Sequence, residues 1–443
     1  MTLIKRLIPV LTSLWLIAAV AAGCRLGYAW IQAREIPAVA LASVPFEQET
    51  GNIAYALASG KGFSSPTRSD TGPTAWLTPV YPALIALIFR VFGIFTLRAF
   101  YAAFALNTLF SVAACVAIYF AGKRIAGVGV ASVAAWLWAF FPNAVVIPFQ
   151  WIWDTSLSAL LAATIFWATL KIAESLPIRD WCAYGLLWGF ALMTNPALGS
   201  LLPFFLGWAA WLRRKDGRSD IVKVALVIAL IVGCCVPWTV RNYAVFHRFI
   251  PLRSNFPFEF WLGNNEVFEE RSPNINARIT RYGEARRYAQ LGETAFMQEK
   301  WNLATTFIRT HKRLEAQLVW WRFNKFWLGS FHPVDDFENA DSAWIQVIFA
   351  VNFLTALGSV AGVAVLWRRR SRFAFPSGVV IVAFPLAYYA AHASLRYRHP
   401  IDPILLMLSA ITIVAASKLL RMRGNERPVL DPLTVPHVPA PEN

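Results

Sequence analysis

The sequence predicts an all-α polytopic membrane protein with about ten transmembrane helices. Three observations carry that expectation. Of its 443 residues 57% are hydrophobic and 15% charged, whereas a soluble chain averages about 25% charge. Apolar stretches recur at 7–23, 100–121, 127–147, 155–174, 182–197, 199–212, 221–239, 344–367, 374–393 and 402–420. Several reach the roughly 20 residues a helix needs to cross a bilayer. The cations, finally, collect between alternate stretches, as they do in cytoplasmic loops.

The elements follow in order. The first span comes after Lys5 and Arg6. It reads as an uncleaved helix, because no small-x-small cleavage site precedes a soluble domain. Segment 79–93 is apolar but short, and Pro79 and Pro82 interrupt it. If it crossed the membrane, every later basic loop would change side. If it lies at the outer interface, Lys123-Arg124, Arg213-Arg214-Lys215, Arg368-Arg369-Arg370 and the cations of 418–423 share the cytoplasm with the N-terminus. The positive-inside pattern selects the second arrangement. The expected organisation is a transmembrane module 1–240 with a first outer loop at 24–99, an outer helical subdomain at 241–343, C-terminal transmembrane helices at 344–422, and a Pro-rich disordered cytoplasmic tail at 423–443.

The net charge of +16 is explained by cytoplasmic loops and does not call for a nucleic-acid partner. Cys24, Cys115, Cys182, Cys234 and Cys235 lie in or beside apolar spans with no metal or disulfide spacing, and they read as packing residues.

This topology gathers the polar motifs on the outer face. Residues 47–59 have helical spacing, with Ile53, Ala54, Leu57 and Ala58 on one stripe. On such a helix Glu47 and Glu49 point to nearly opposite faces, since two residues turn it by about 200°. Only one can face a cavity, and spacing alone does not choose. Thr71-Gly-Pro-Thr-Ala-Trp-Leu-Thr-Pro-Val-Tyr-Pro82 is a turn-rich loop whose Trp76 and Tyr81 suit the membrane interface and are also candidate substrate contacts.

These segments resemble bacterial membrane glycosyltransferases of the GT-C superfamily, relatives of protein O-mannosyltransferases and of the lipid A aminoarabinose transferase. The resemblance rests on an acidic residue after the first helix, Gly51-Asn-Ile-Ala54, Gly60-Lys-Gly-Phe63, Thr71-Gly-Pro-Thr-Ala-Trp76 and Pro79-Val-Tyr-Pro82. It extends to Arg241-Asn-Tyr243, Arg253-Ser-Asn-Phe256 and Trp261-Leu-Gly-Asn-Asn265. It implies a GT-C bundle in which the acid of the first outer loop is the catalytic base. The matching residue, directly before Thr50-Gly51, is Glu49. It further implies a second acid near the site, for which Asp154 and Glu47 are the candidates. Asp154 also suits a helix N-cap before Thr155 and Ser156.

Arg396-Tyr-Arg-His-Pro400 places three cationic or titratable groups in four residues at the outer interface. An arginine fork recognises phosphate and stays charged. The resemblance implies that Arg396 and Arg398, with Tyr397 and His399 beside them, lie near a lipid-phosphate leaving group. Arg241 reads either as a lipid-headgroup anchor or as a further phosphate ligand, and Arg253 reads as a further phosphate ligand. Asn264, with Trp261, reads as a sugar contact or as a turn cap.

The chemistry these residues suit is inverting sugar transfer from a polyprenyl-phosphate donor to a glycan, lipid or protein acceptor. One carboxylate takes the acceptor's proton and fixed cations hold the departing phosphate. No nucleotide-binding glycine loop is present, no cofactor is called for, and one aspartate without a partner carboxylate makes a poor divalent-metal site. The expected location is the bacterial cytoplasmic membrane with the site facing the periplasm. Two other classes fit the composition. A flippase of lipid-linked sugars would show mid-bilayer breaks and an internal repeat, but Asn195-Pro196 is the one clear break. A non-catalytic scaffold of the same fold would retain its function without Glu49.

Overall fold

The computed structural model describes residues 12–67, 69–174, 177–215, 220–265, 283–329 and 343–425, and within them each expected apolar stretch lies mostly on helix. In chain order the α-helices are α1 (Leu14–Glu35), α2 (Ala38–Ser43), α3 (Glu49–Ala58), α4 (Val80–Phe92), α5 (Leu97–Ala126), α6 (Val128–Phe140) and α7 (Pro142–Gln150). There follow α8 (Thr155–Ile172), α9 (Ile178–Leu192), α10 (Leu202–Lys215), α11 (Ile221–Phe246), α12 (Phe256–Gly263), α13 (Glu284–Leu291), α14 (Glu293–Thr310) and α15 (Lys312–Leu328). The last are α16 (Ala343–Arg368), α17 (Ala374–Ala383), α18 (Leu386–Ala390), α19 (Leu395–Arg398) and α20 (Asp402–Asn425). The tail expected to be disordered lies almost wholly outside the described residues.

The protein is a multi-pass membrane protein. Among the described residues six helices are long and apolar enough to cross a bilayer, or seven if the bent pair α6–α7 is one span. The remaining expected crossings fall on the shorter segments α9, 196–215 and Ala374–Ala390. Helix α4 has 13 residues, about 20 Å at 1.5 Å per residue, which is too short to span. It packs along α3.

Two glycine pairs let spans meet closely. A Cβ on Gly362 would stand 2.2 Å from the Leu408 carbonyl oxygen, and one on Gly189 would stand 2.6 Å from Cys234. With Gly358 and Gly185 one turn earlier, each forms a small-xxx-small seam, α16 on α20 and α9 on α11. Ser409 and Thr412 donate across the first seam to Thr355 and Gly358 carbonyls at 3.2 and 2.7 Å.

The α6–α7 bend of 46° at Pro142 frees backbone carbonyls inside the bundle. Arg25, fully buried on α1, donates to the carbonyls of Trp138 and Ala139 at 3.3 and 3.2 Å and to Ser111 Oγ at 2.9 Å. A cation inside a span is expensive unless its donors are used this way.

At one end of the bundle Glu174 accepts from Arg124 and Arg372, and Asp220 accepts from Arg213 and Lys223. The opposite end carries α3 and the subdomain α12–α15. There Trp76, Phe258, Leu262, Tyr288, Phe296 and Met297 form a second core. Glu293 knits it together: its carboxylate accepts from Thr74 Oγ1, the Ala75 N–H at 2.8 Å, Ser254 Oγ at 2.7 Å and Tyr288 Oη at 2.8 Å.

Two expectations are corrected here. Trp76 and Tyr81, read as interfacial, are each only 2% exposed. Trp76 is core, and Tyr81 donates to Asn107 Oδ1 at 2.9 Å. The first-loop helix also begins at Glu49 and not at Glu47. Glu47 instead ends a short 3₁₀ turn, Val44–Phe46.

Candidate functional site

Where Leu77 of the first loop, the α7–α8 turn, the Asn195 break, the 251–259 segment and the α18–α19 turn converge, they frame a cavity of about 400 Å³. Trp153, Asp154, Arg253, Glu259, Arg396 and Tyr397 line it. Pro196 and the 3₁₀ turn it opens hold Asn195 at the wall, with Asn195 Oδ1 accepting from the Ala197 N–H at 3.1 Å.

Arg396 sits on α19, a one-turn helix that enters α20 through His399 and Pro400. Its guanidinium lies 4.7 and 4.5 Å from the ring centroids of Trp151 and Trp153. Among the described residues its hydrogen bond goes to Tyr397 Oη at 3.3 Å, and no ion pair engages it. Arg253, on the segment that Ser254 ties to Ala75 at 2.8 Å, makes neither hydrogen bond nor ion pair among the described residues. Two guanidinium forks therefore face one cavity with donors to spare. Aromatic faces hold such a group without consuming its N–H donors.

Asp154 occupies the N-cap position of α8 but makes no capping bond to the backbone. Its carboxylate accepts from Ser158 Oγ at 2.9 Å, and Ser158 Oγ accepts from Asn195 Nδ2 at 3.1 Å. Burial raises its pKa above the usual aspartate value, and Ser158, Arg253 and Arg396 partly offset the shift.

Glu49 opens α3 directly behind the cavity, 2% exposed, with Oε2 unpartnered. Burial pushes its pKa up to about 7, the charge of Glu259 adds to the rise, and Arg396 opposes it. Glu49 does not line the cavity itself, but Glu259 and Arg396, whose charges it feels, both do. The backbone fixes this placement: a Cβ on Gly51 would stand 2.0 Å from the Phe46 carbonyl oxygen, so only glycine lets α3 start so close to the preceding turn.

Other expected site residues lie elsewhere. Arg398 is fully buried: it donates to Asp402 Oδ1 at 2.7 Å, to the Trp327 carbonyl at 2.6 Å and to Asn352 Oδ1. His399 is buried against Asp402 and stacks on Trp138 at 5.2 Å. Arg241 clamps the first loop through the Thr74 and Phe63 carbonyls at 2.6 and 2.8 Å. Asn264 donates to the Phe260 and Ala390 carbonyls and accepts from buried Arg322. Arg398, Arg241 and Asn264 are joints between distant segments, engaged by protein carbonyls and side chains, and His399 is fully buried outside the cavity lining. Glu47 is half-buried and stands outside the cavity lining.

Sequence reasoning passed over Glu259, Asn195 as a wall residue, and Glu293. A carboxylate in the first turn of the otherwise apolar α12 was the available signal for Glu259. Among the described residues no group of three or more His, Cys, Asp or Glu is arranged to hold a metal ion.

A model of the dolichyl-phosphate-mannose-protein mannosyltransferase family matches residues 75–239. That segment includes Asp154 and stops short of Arg253 and Arg396. No curated protein matches the sequence. Among solved structures, the chain is similar to the oligosaccharyltransferase AglB of the archaeon Archaeoglobus fulgidus, solved with an inhibitory peptide and a dolichol-phosphate. The identity is 13%, the TM-score 0.50, and the alignment covers 96% of this chain and 52% of that one. The apo form of the Archaeoglobus fulgidus oligosaccharyltransferase matches at 13% identity and TM-score 0.50, over 93% of this chain and 52% of that one. The chain thus spans about half the length of the structures it matches.

Proposed function

We propose that the chain is a GT-C membrane glycosyltransferase, a reading supported by the mannosyltransferase family model over residues 75–239 and by the shared oligosaccharyltransferase fold, and that it transfers a sugar from a polyprenyl-phosphate donor to an acceptor hydroxyl, with inversion at the anomeric carbon. The observation that carries this reading is the pairing of two uncommitted arginines, Arg253 and Arg396, with carboxylates in one cavity. The same cavity is backed by a buried glutamate with an unpartnered oxygen.

In the proposed step Glu49 removes the acceptor's proton as its oxygen bonds to the anomeric carbon. The carbon–oxygen bond to phosphate breaks, and polyprenyl phosphate leaves with its electron pair. Arg396 and Arg253 offset the charge gained by the phosphate, which removes the need for a protonating acid. A base with its pKa near 7 is matched to neutral conditions. Asp154 and Glu259 are placed to accept from sugar or acceptor hydroxyls, and Tyr397 and Asn195 to position them. A donor of this kind is amphiphilic, and a cavity at the end of an apolar bundle suits a head group at the surface with a tail among the helices.

On the positive-inside rule the end bearing Arg124, Arg213 and Arg372 is cytoplasmic. The cavity then faces the periplasm of a bacterial inner membrane, with both termini inside. The division into a transmembrane module 1–240, an outer subdomain 241–343 and C-terminal helices 344–422 belongs to the same reading.

The test uses the full chain in vesicles with polyprenyl-monophosphate sugars and measures release of polyprenyl phosphate with gain of sugar on an acceptor. Arg396→Gln should lower release at least ten-fold. If no donor is consumed but a labelled lipid-linked sugar crosses the bilayer, the flippase reading replaces this one.

A further inference from the structure

At the end of the bundle opposite the cavity, α10, the end of α16 and the start of α17 frame an apolar groove of about 730 Å³. Its walls are Phe204, Trp208, Trp211, Trp367 and Phe375. Its floor passes Gly207, where an added Cβ would meet nothing within 4 Å. Trp211 and Trp367 are 55% and 71% exposed, so the groove opens to the surroundings of the bundle. Arg370 and Arg372 stand at its rim.

The two arginines differ. Arg372 is engaged by Glu174. The Arg370 guanidinium makes no hydrogen bond or ion pair among the described residues. Arg370 also holds a left-handed backbone, φ 53°, in the turn that ends α16, where Arg370 N–H bonds the Trp367 carbonyl and Ser371 N–H the Leu366 carbonyl, both at 2.9 Å. Glycine is the unstrained residue in that position. A strained arginine there puts a free cation at the mouth of an aromatic groove, so charge and hydrocarbon are offered side by side at the basic end of the bundle.

We propose that this groove is a binding site for an anionic phospholipid, with the acyl chain along Gly207 between the tryptophans and the phosphate on Arg370. Basic pockets between helices at this depth suit anionic head groups, while zwitterionic lipids gain no net charge attraction there. The site is separate from the cavity and does not depend on the catalytic reading.

The test incubates the full chain in detergent with equal amounts of phosphatidylglycerol and phosphatidylcholine of matched chains, and counts retained lipid by native mass spectrometry. The wild type should retain phosphatidylglycerol preferentially. Arg370→Gln and Arg370→Gly should each cut that preference roughly five-fold, the loss of about one surface cation. Arg370→Gly relieves the left-handed strain, so its thermal stability should be equal or higher, which separates lost binding from lost folding. Gly207→Phe fills the groove and should abolish retention with Arg370 intact. The proposal is overturned by equal retention of the two lipids in the wild type. It is equally overturned by a preference that survives Arg370→Gly, or by displacement of phosphatidylglycerol by millimolar inorganic phosphate, which would mark a phosphate site and not a lipid site.

Discussion

Replacing Glu49 by glutamine separates what this carboxylate does for catalysis from what it costs the fold. The buried group has its pKa raised from 4.5 to about 7. In the unfolded chain it ionises near 4.5, so folding is opposed whenever the unfolded group is charged. The sign is fixed by the direction of the shift: the neutral acid is tolerated below the unfolded value, and stability falls as pH rises until it levels off above 7. Between pH 5.5 and pH 8.5 this one group should cost the wild type about 2 kcal/mol more, from a shift worth 1.36 kcal/mol per unit. Glutamine carries no charge and has no such slope. Thermal unfolding in detergent should therefore show Glu49→Gln gaining on the wild type as pH rises, by about 2 kcal/mol over that range. Sugar transfer in the same preparation should fall 10²- to 10⁴-fold, the usual worth of a positioned general base. Wild-type kcat/KM should rise with pH through an apparent pKa near 7. A variant that keeps more than a tenth of the activity would refute Glu49 as base. A stability gap that does not change with pH would refute the buried, raised-pKa carboxylate itself.

Three further outcomes are expected. Arg398→Ala strands the buried Asp402 carboxylate, so it should destabilise the protein by about 3–5 kcal/mol and show as lost folded yield; Arg396→Ala should instead preserve folding and raise the donor KM. Glu293→Ala leaves four donors around it unsatisfied, at about 1–3 kcal/mol each where they stay dry, and limited proteolysis should then cut within α12–α15 faster than in the wild type. Gly51→Ala forces a Cβ to within 2.0 Å of a carbonyl oxygen; it should cost about 1–3 kcal/mol and displace Glu49, which activity loss without loss of donor binding would report.

Much of this was legible in the chain. A run of apolar residues makes a helix in a bilayer because no other backbone arrangement satisfies its own hydrogen bonds within one segment, so the described part of each stretch named from hydropathy lies mostly on helix. The cations of 123–124, 213–215 and 368–370 also fall together at one end, as alternate crossings require. The brevity of α4 follows from Pro79 at its N-cap and Gly93, with φ 92°, at its C-cap.

Sequence by itself determined that arginines and acids would converge on one face. Only the tertiary structure decided which of them remain available. Arg396 and Arg398 are two residues apart and read alike, yet Arg398 is consumed by the Trp327 carbonyl, Asn352 and Asp402 while Arg396 rests on tryptophan faces. Arg241 is spent on carbonyls of the first loop, 167 and 178 residues away. Glu259 reads as one more acid in an aromatic run until α12 sets it in the cavity wall. A sequence counts donors and acceptors, but whether a charge is satisfied depends on which carbonyls and carboxylates the fold brings within about 3 Å of it.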